Sequence, residues 1–147
     1  GACDAVFASH VLEHLTREDL ETALKETLRI MRPGAVFRLI VPDLKVLAEE
    51  YLKRLKRGDP EASSTFMRDG YFGVESRPKG LLRRLESMLG NSAHLWMWDE
   101  VSMTEALVRA GFRDVRPVRF GDADIPAFAA VEAQDRFTDA VALEARK

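Results

Sequence analysis

Two short apolar runs, Ala5 to Ala8 and Val36 to Val41, flank a single helical pattern, and that arrangement leaves few folds open to the chain. Unbroken apolar stretches of this length suit strands of a parallel sheet covered on both faces. Between them, Thr16 can cap a helix with Asp19 three residues on, and Leu20, Ala23, Leu24, Leu28 and Met31 recur along one face. Glu18, Asp19 and Glu21 lie near its start and Arg29 and Arg32 near its end, the placement a helix dipole favours by ~0.3–1 kcal/mol per charge. Pro33-Gly34 is expected to stop this helix, and Pro42 to end the second strand because proline cannot donate to the ladder. Strand, helix, strand predicts a right-handed parallel crossover. Ligands of such sheets bind beyond the carboxyl ends of the strands, here near Ser9-His10 and Pro42-Asp43.

The remainder reads as part of the same single domain, spanning 1–147. Leu47, Ala48, Tyr51, Leu52 and Leu55 form one face of a second helix starting at Leu44 and ended by Gly58-Asp59-Pro60. Residues 61–80 carry little pattern, and Leu81 to Leu89 reads as a short helix closed by Gly90-Asn91, so 44–93 is expected to be a helical insertion. Asp99 can cap a helix carrying Val101, Leu107, Val108 and Ala110 and closed by Gly111. Val115 to Phe120 and Ala140 to Ala145 are expected to be strands paired antiparallel.

Composition narrows the class. With 147 residues, 46% of them hydrophobic, the chain can bury a substantial core. A net charge of -2 argues against a protein that coats nucleic acid. The basic groups Lys53, Arg54, Lys56, Arg57 and Arg77, Lys79, Arg83, Arg84 could draw an acidic acceptor, but such residues are more often solvated helix faces. The single Cys3 permits no intrachain disulfide, and no apolar run approaches the ~20 residues that cross a bilayer, so a cytoplasmic, membrane-free protein is expected.

Three segments in register, CDAVFASHVLEHL, LKETLRIMRPGAVFRLIVPDL and ALVRAGFRDV followed by AVALEARK, together resemble the C-terminal part of class I S-adenosylmethionine-dependent methyltransferases. The resemblance implies an α/β fold with a partial Rossmann-like sheet, strands 4, 5, 7 and 6 of the family order 3-2-1-4-5-7-6. It departs from the family at Ala35, where a second glycine is usual, and in having no G-x-G to hold the cofactor. It lacks the family's acidic ribose-binding residue after strand 2 as well. Position 1 is Gly, as in a processed product, a tag remnant or a piece of a longer reading frame, and the last suits the missing cofactor loop. Strand 4 would then be uncovered, so a homodimer, or pairing with a missing N-terminal half, is expected through Asp4 to Ser9.

By resemblance, Ser9, His10, Val11 and Glu13 would contact S-adenosylmethionine, with His10 also serving as the base for a methyl acceptor whose identity the sequence leaves open. Glu13 and His14 would fix the turn. Equally, a histidine and a glutamate at a strand-to-helix junction often only bond backbone groups. His94 and Trp96, in the aromatic segment HLWMW, are expected substrate contacts, with packing of Trp96 and Trp98 onto the sheet as the plainer alternative. No metal ligand is assigned on this reading. A rival reading takes H-x-x-E-H as the signature of a zinc hydrolase, which requires both histidines on one continuous helix and a third ligand such as Glu75 or Glu86. A further alternative is a non-catalytic methyltransferase-like subunit that pairs through its open sheet edge.

Overall fold

The computed structural model describes residues 1–73, 93–123 and 125–147. Strand β1 (Cys3–Ser9) leads through a short 3-10 turn (Leu12–His14) into helix α1 (Arg17–Ile30), which returns the chain to strand β2 (Met31–Pro42). Helices α2 (Leu44–Lys56) and α3 (Ala62–Asp69) follow, then α4 (Glu100–Ala110), β3 (Arg113–Pro117) and β4 (Ala140–Arg146). The four strands form one open sheet in the order β1-β2-β4-β3, with β1 parallel to β2 and β4 antiparallel to both its neighbours. This is the α/β arrangement expected from the resemblance, with β1, β2, β4 and β3 standing where strands 4, 5, 7 and 6 would.

Local chemistry explains most boundaries. The Thr16 hydroxyl accepts the Asp19 amide at 3.1 Å and donates to the Asp19 carboxylate at 2.7 Å, fixing the first turn of α1. The helix ends at Ile30, ahead of Pro33-Gly34, because Met31 is already extended and pairs with Cys3. Strand β2 is therefore five residues longer at its start than the apolar run predicts. The pairing register slips between Cys3↔Met31 and Ala5↔Val36, and Gly34, at a φ of 78°, lies in the extra length. Asp99 caps α4 through a reciprocal box with Ser102, and Gly111 closes it at a φ of 105°.

Alternation along β2 sorts the core into two faces. Phe37, Leu39 and Val41 join Val141, Leu143 and Ala145 beneath α1 and α4, where Leu20, Leu24, Met103 and Leu107 are fully buried. Val101 and Val108, expected on the buried face of α4, are exposed instead, because Met103 and Leu107 take the inward positions. On the opposite face Arg38 and Ile40 lie beneath the connection from Val118 to Asp139, with Phe7, Ala142 and Phe137.

Helix α3 falls in the stretch that carries little sequence pattern. Eight residues hold it, and Phe66 packs on Tyr51 of α2 and on Phe72, with ring centroids 5.2 and 5.7 Å apart. The expected helix from Leu81 to Leu89 lies outside the described residues. Among the described residues no helix is long and apolar enough to cross a membrane.

Candidate functional site

The carboxyl ends of β1 and β2 come together at His10. Its amide donates to the Ile40 carbonyl at 2.9 Å, one residue after the last paired position of β1. There the backbone turns left-handed, with a His10 φ of 53°, and this sharp exit feeds the 3-10 turn. The His10 ring is held at both nitrogens. Nε2 donates to the Arg136 carbonyl at 3.0 Å, and Nδ1 lies 3.5 Å from Glu13 Oε1. The Glu13 carboxylate raises the His10 pKa above its ordinary value; burial opposes this and the Arg136 carbonyl adds to it. Beside it, the Ser9 hydroxyl is buried with no hydrogen-bond partner among the described residues, while Val11 is half exposed.

Glu13 sits 1% exposed behind this turn. Its backbone carbonyl accepts the amides of Leu95 and Trp96 at 2.8 and 3.2 Å, which lays the segment 93–96 alongside. Two histidines from distant parts of the chain meet as a result. His14 Nδ1 donates to the Ala93 carbonyl at 3.1 Å, its Nε2 lies 3.8 Å from Glu13 Oε1, and its ring stands edge-on to His94 with centroids 5.1 Å apart. The Tyr71 ring lies tilted against His94, with centroids 4.8 Å apart. Burial pushes the His94 pKa down, against the pull of the Glu13 charge.

His94 thus joins the group around His10, whereas Trp96, two residues on, does not. The Trp96 ring lies under the Arg17 guanidinium, 5.6 Å from it, and lines a groove of about 320 Å³ between α1 and α4 with the buried Trp98. A second cavity of about 270 Å³ lies between α2 and α3, reaching Asp43 at the end of β2. On α2, Lys53 and Arg54 are paired with Glu50, and Arg54 also with Asp59. Arg77, Lys79, Arg83 and Arg84 lie outside the described residues, as do Glu75 and Glu86. The zinc-hydrolase reading fails on geometry: His10 occupies a left-handed bend, His14 closes a single 3-10 turn, and the continuous helix begins only at Arg17.

One group that the sequence reading passes over supports the site from the far face of β2. The Arg38 side chain is fully buried, yet every direction of its fork is answered. It donates to Glu132, to Glu144 at 3.2 Å, to Asp122 at 2.9 Å and to the Arg119 carbonyl at 2.7 Å, with the Phe128 and Phe137 rings both 5.8 Å away. Burial works against its charge, but the hydrogen bonds to Asp122 and Glu132 outweigh it and hold the pKa above its ordinary value. Arg38 thereby ties down the connection that includes Arg136, whose carbonyl receives the His10 ring. A lone arginine within VFRLIV is the available signal: a charge in an otherwise apolar strand demands buried partners.

Residues 1–39 match a family described as "Methyltransferase domain". No curated protein matches the chain in sequence. Among solved structures, a SAM-dependent methyltransferase from Archaeoglobus fulgidus is similar at 15% identity and a TM-score of 0.48, over 99% of this chain and 60% of that one. A chain of the complex between the Haloferax volcanii Trm112 methyltransferase activator and a methyltransferase is similar at 16% identity and a TM-score of 0.49, over 99% of this chain and 54% of that one. The chain thus spans little more than half the length of the structures it resembles.

Proposed function

We propose that this class I S-adenosylmethionine methyltransferase-like chain supplies the acceptor side of a methyl-transfer site, with the nucleoside side contributed by polypeptide paired to its open strand. The observation that carries this reading is the tip of β1. Ser9, His10 and Val11 stand where parallel strands end, on a strand whose outer edge is unpaired among the described residues. Methyl transfer asks a protein mainly to align a nucleophile with the sulfonium carbon, and to take up a proton when the acceptor is O–H or N–H. Ser9 to Val11 would face the methionine end of S-adenosylmethionine, Glu13 would hold the turn, and His10 would accept the acceptor's proton. Its Nε2 already donates to the Arg136 carbonyl, so Nδ1 is the nitrogen that would take the proton, with the Glu13 carboxylate favouring the charged ring. His94 is proposed to lie beside the acceptor, and Trp96 at a more distant edge.

The nucleoside needs a close backbone approach that a glycine-rich turn usually gives, and none of the nine glycines forms G-x-G. The isolated chain should therefore show weak, unsaturated heats with S-adenosylhomocysteine up to about 1 mM, the range of a contact worth only ~4 kcal/mol. In the presence of a polypeptide that supplies the nucleoside side, it should bind saturably and one to one. Tight binding by a monomer of this chain alone would overturn the divided site. A non-catalytic subunit is the second reading, favoured by the apolar, half-buried strand DAVFA at the sheet edge. It predicts self-association that survives without cofactor and no saturable binding in either form.

A further inference from the structure

We propose that Glu13, His14 and His94 bind one divalent transition-metal ion of the zinc type at the carboxyl end of β1. The three side chains each offer one ligand atom, and these atoms all lie within 4.8 Å of one another. Two imidazoles and a carboxylate form a donor set that suits zinc and its first-row neighbours, and poorly suits magnesium or calcium. Ligand atoms on a tetrahedral ion with bonds of about 2.0–2.2 Å stand roughly 3.3–3.6 Å apart. The 3.8 Å between His14 Nε2 and Glu13 Oε1 is already close to that spacing.

The carboxylate provides the second, independent observation. Glu13 is 1% exposed and neither of its oxygens has a hydrogen-bond partner among the described residues. An ionised carboxylate in that position is costly unless a cation or donors face it. The nitrogens nearest its Oε1 are His10 Nδ1 at 3.5 Å and His14 Nε2 at 3.8 Å. His14 gives its Nδ1 proton to the Ala93 carbonyl, and His10 gives its Nε2 proton to the Arg136 carbonyl. His94 bonds the Gly70 backbone while its own Nδ1 stays buried and unpartnered.

A neutral imidazole that donates from one nitrogen carries a lone pair on the other, so His14 can ligate through Nε2, and the buried Nδ1 of His94 is the nitrogen facing the same point. Backbone carbonyls are the usual outer partners of metal-bound histidines, since they fix the tautomer and orient the ring. With three protein ligands, the ion keeps a position open for water or for an oxygen of a bound molecule. The ion site does not depend on methyl transfer.

The test uses the whole chain, stripped with a chelator and then titrated with Zn²⁺ by calorimetry and with Co²⁺ by visible absorption. The expected result is one ion per chain, a cobalt spectrum of low-coordinate nitrogen and oxygen ligation, and a higher unfolding temperature. Glu13→Gln and His94→Ala should each weaken binding by at least ~100-fold, beyond the ~10–100-fold typical of losing an outer partner. Glu13→Gln keeps the side-chain shape, and circular dichroism in chelator checks the fold of both variants, with His94→Gln as the substitute if His94→Ala does not fold. Absence of stoichiometric uptake, or uptake that either substitution leaves unchanged, would overturn the site. Neither readout involves S-adenosylmethionine, so failure here is distinct from failure of the methyl-transfer reading.

Discussion

Arg38 and Glu13 are both buried and ionisable, and the chain treats them in opposite ways. Arg38 is surrounded by carboxylates and a carbonyl that use its donors, so its environment is closed and serves to hold the 118–139 connection on the sheet. Glu13 has no hydrogen-bonded donor at either oxygen among the described residues, with the nearest His10 and His14 nitrogens 3.5 and 3.8 Å from Oε1. A saturated buried charge indicates architecture, whereas an unsaturated one at the end of a parallel strand indicates a place meant for something else.

The comparison is broken most directly at Arg38. Arg38→Met should cost about 3–5 kcal/mol in denaturant unfolding, because it leaves Glu132 and Glu144 buried without their cation. A loss below about 1 kcal/mol would mean that the network is solvated and the contrast with Glu13 false. Next in size comes a pair of matched substitutions, measured in chelator at about pH 8, where ordinary histidines are neutral. Glu132→Gln should lose about 1.5–3 kcal/mol, the worth of a charged hydrogen bond. Glu13→Gln should lose less, since neither Glu13 oxygen accepts a hydrogen bond among the described residues. If both variants lose the same amount, Glu13 is as well satisfied as Glu132.

Smaller still, Asp99→Ala should cost about 1 kcal/mol through the α4 cap, with no effect on metal uptake. The hydrogen bond from the Ser102 amide, with one from its hydroxyl, holds the Asp99 pKa below its ordinary value. Its folded pKa is thus lower than its unfolded one, so its contribution is complete above the unfolded pKa, near 4, and is lost as pH falls through the folded value. Asp99→Asn, which still caps but does not titrate, should flatten that acid limb of the stability curve. An unchanged limb would assign it to other carboxylates.

Much of this fold can be read from local pattern, because the pattern and the packing ask for the same residues. The Thr16 and Asp99 caps, the crossover from β1 to β2 and the antiparallel β4 all follow from periodicity and turn chemistry. Where tertiary contacts decide, local reading fails. Strand β2 begins at Met31 because Cys3 pairs there, and α3 forms because Phe66 has Tyr51 and Phe72 to pack against. Only part of the candidate site is local. Ser9, His10 and Glu13 lie in one motif, but His94 is brought to them by the Glu13 carbonyl, which accepts the amides of Leu95 and Trp96. No short-range signal connects residues that far apart. The same distance hides the role of Arg136, whose backbone rather than side chain meets His10.

On the proposed function, ligand is received at the tip of β1 rather than in the groove between α1 and α4. Amide chemical-shift mapping during titration with S-adenosylhomocysteine tests it directly, because it detects weak binding and locates it. Shifts concentrated at Ser9, His10 and Val11, with Ile40 and Asp43 beside them, are the predicted result. Shifts concentrated at Arg17, Trp96 and Ser102, with the β1 tip unmoved, would contradict it.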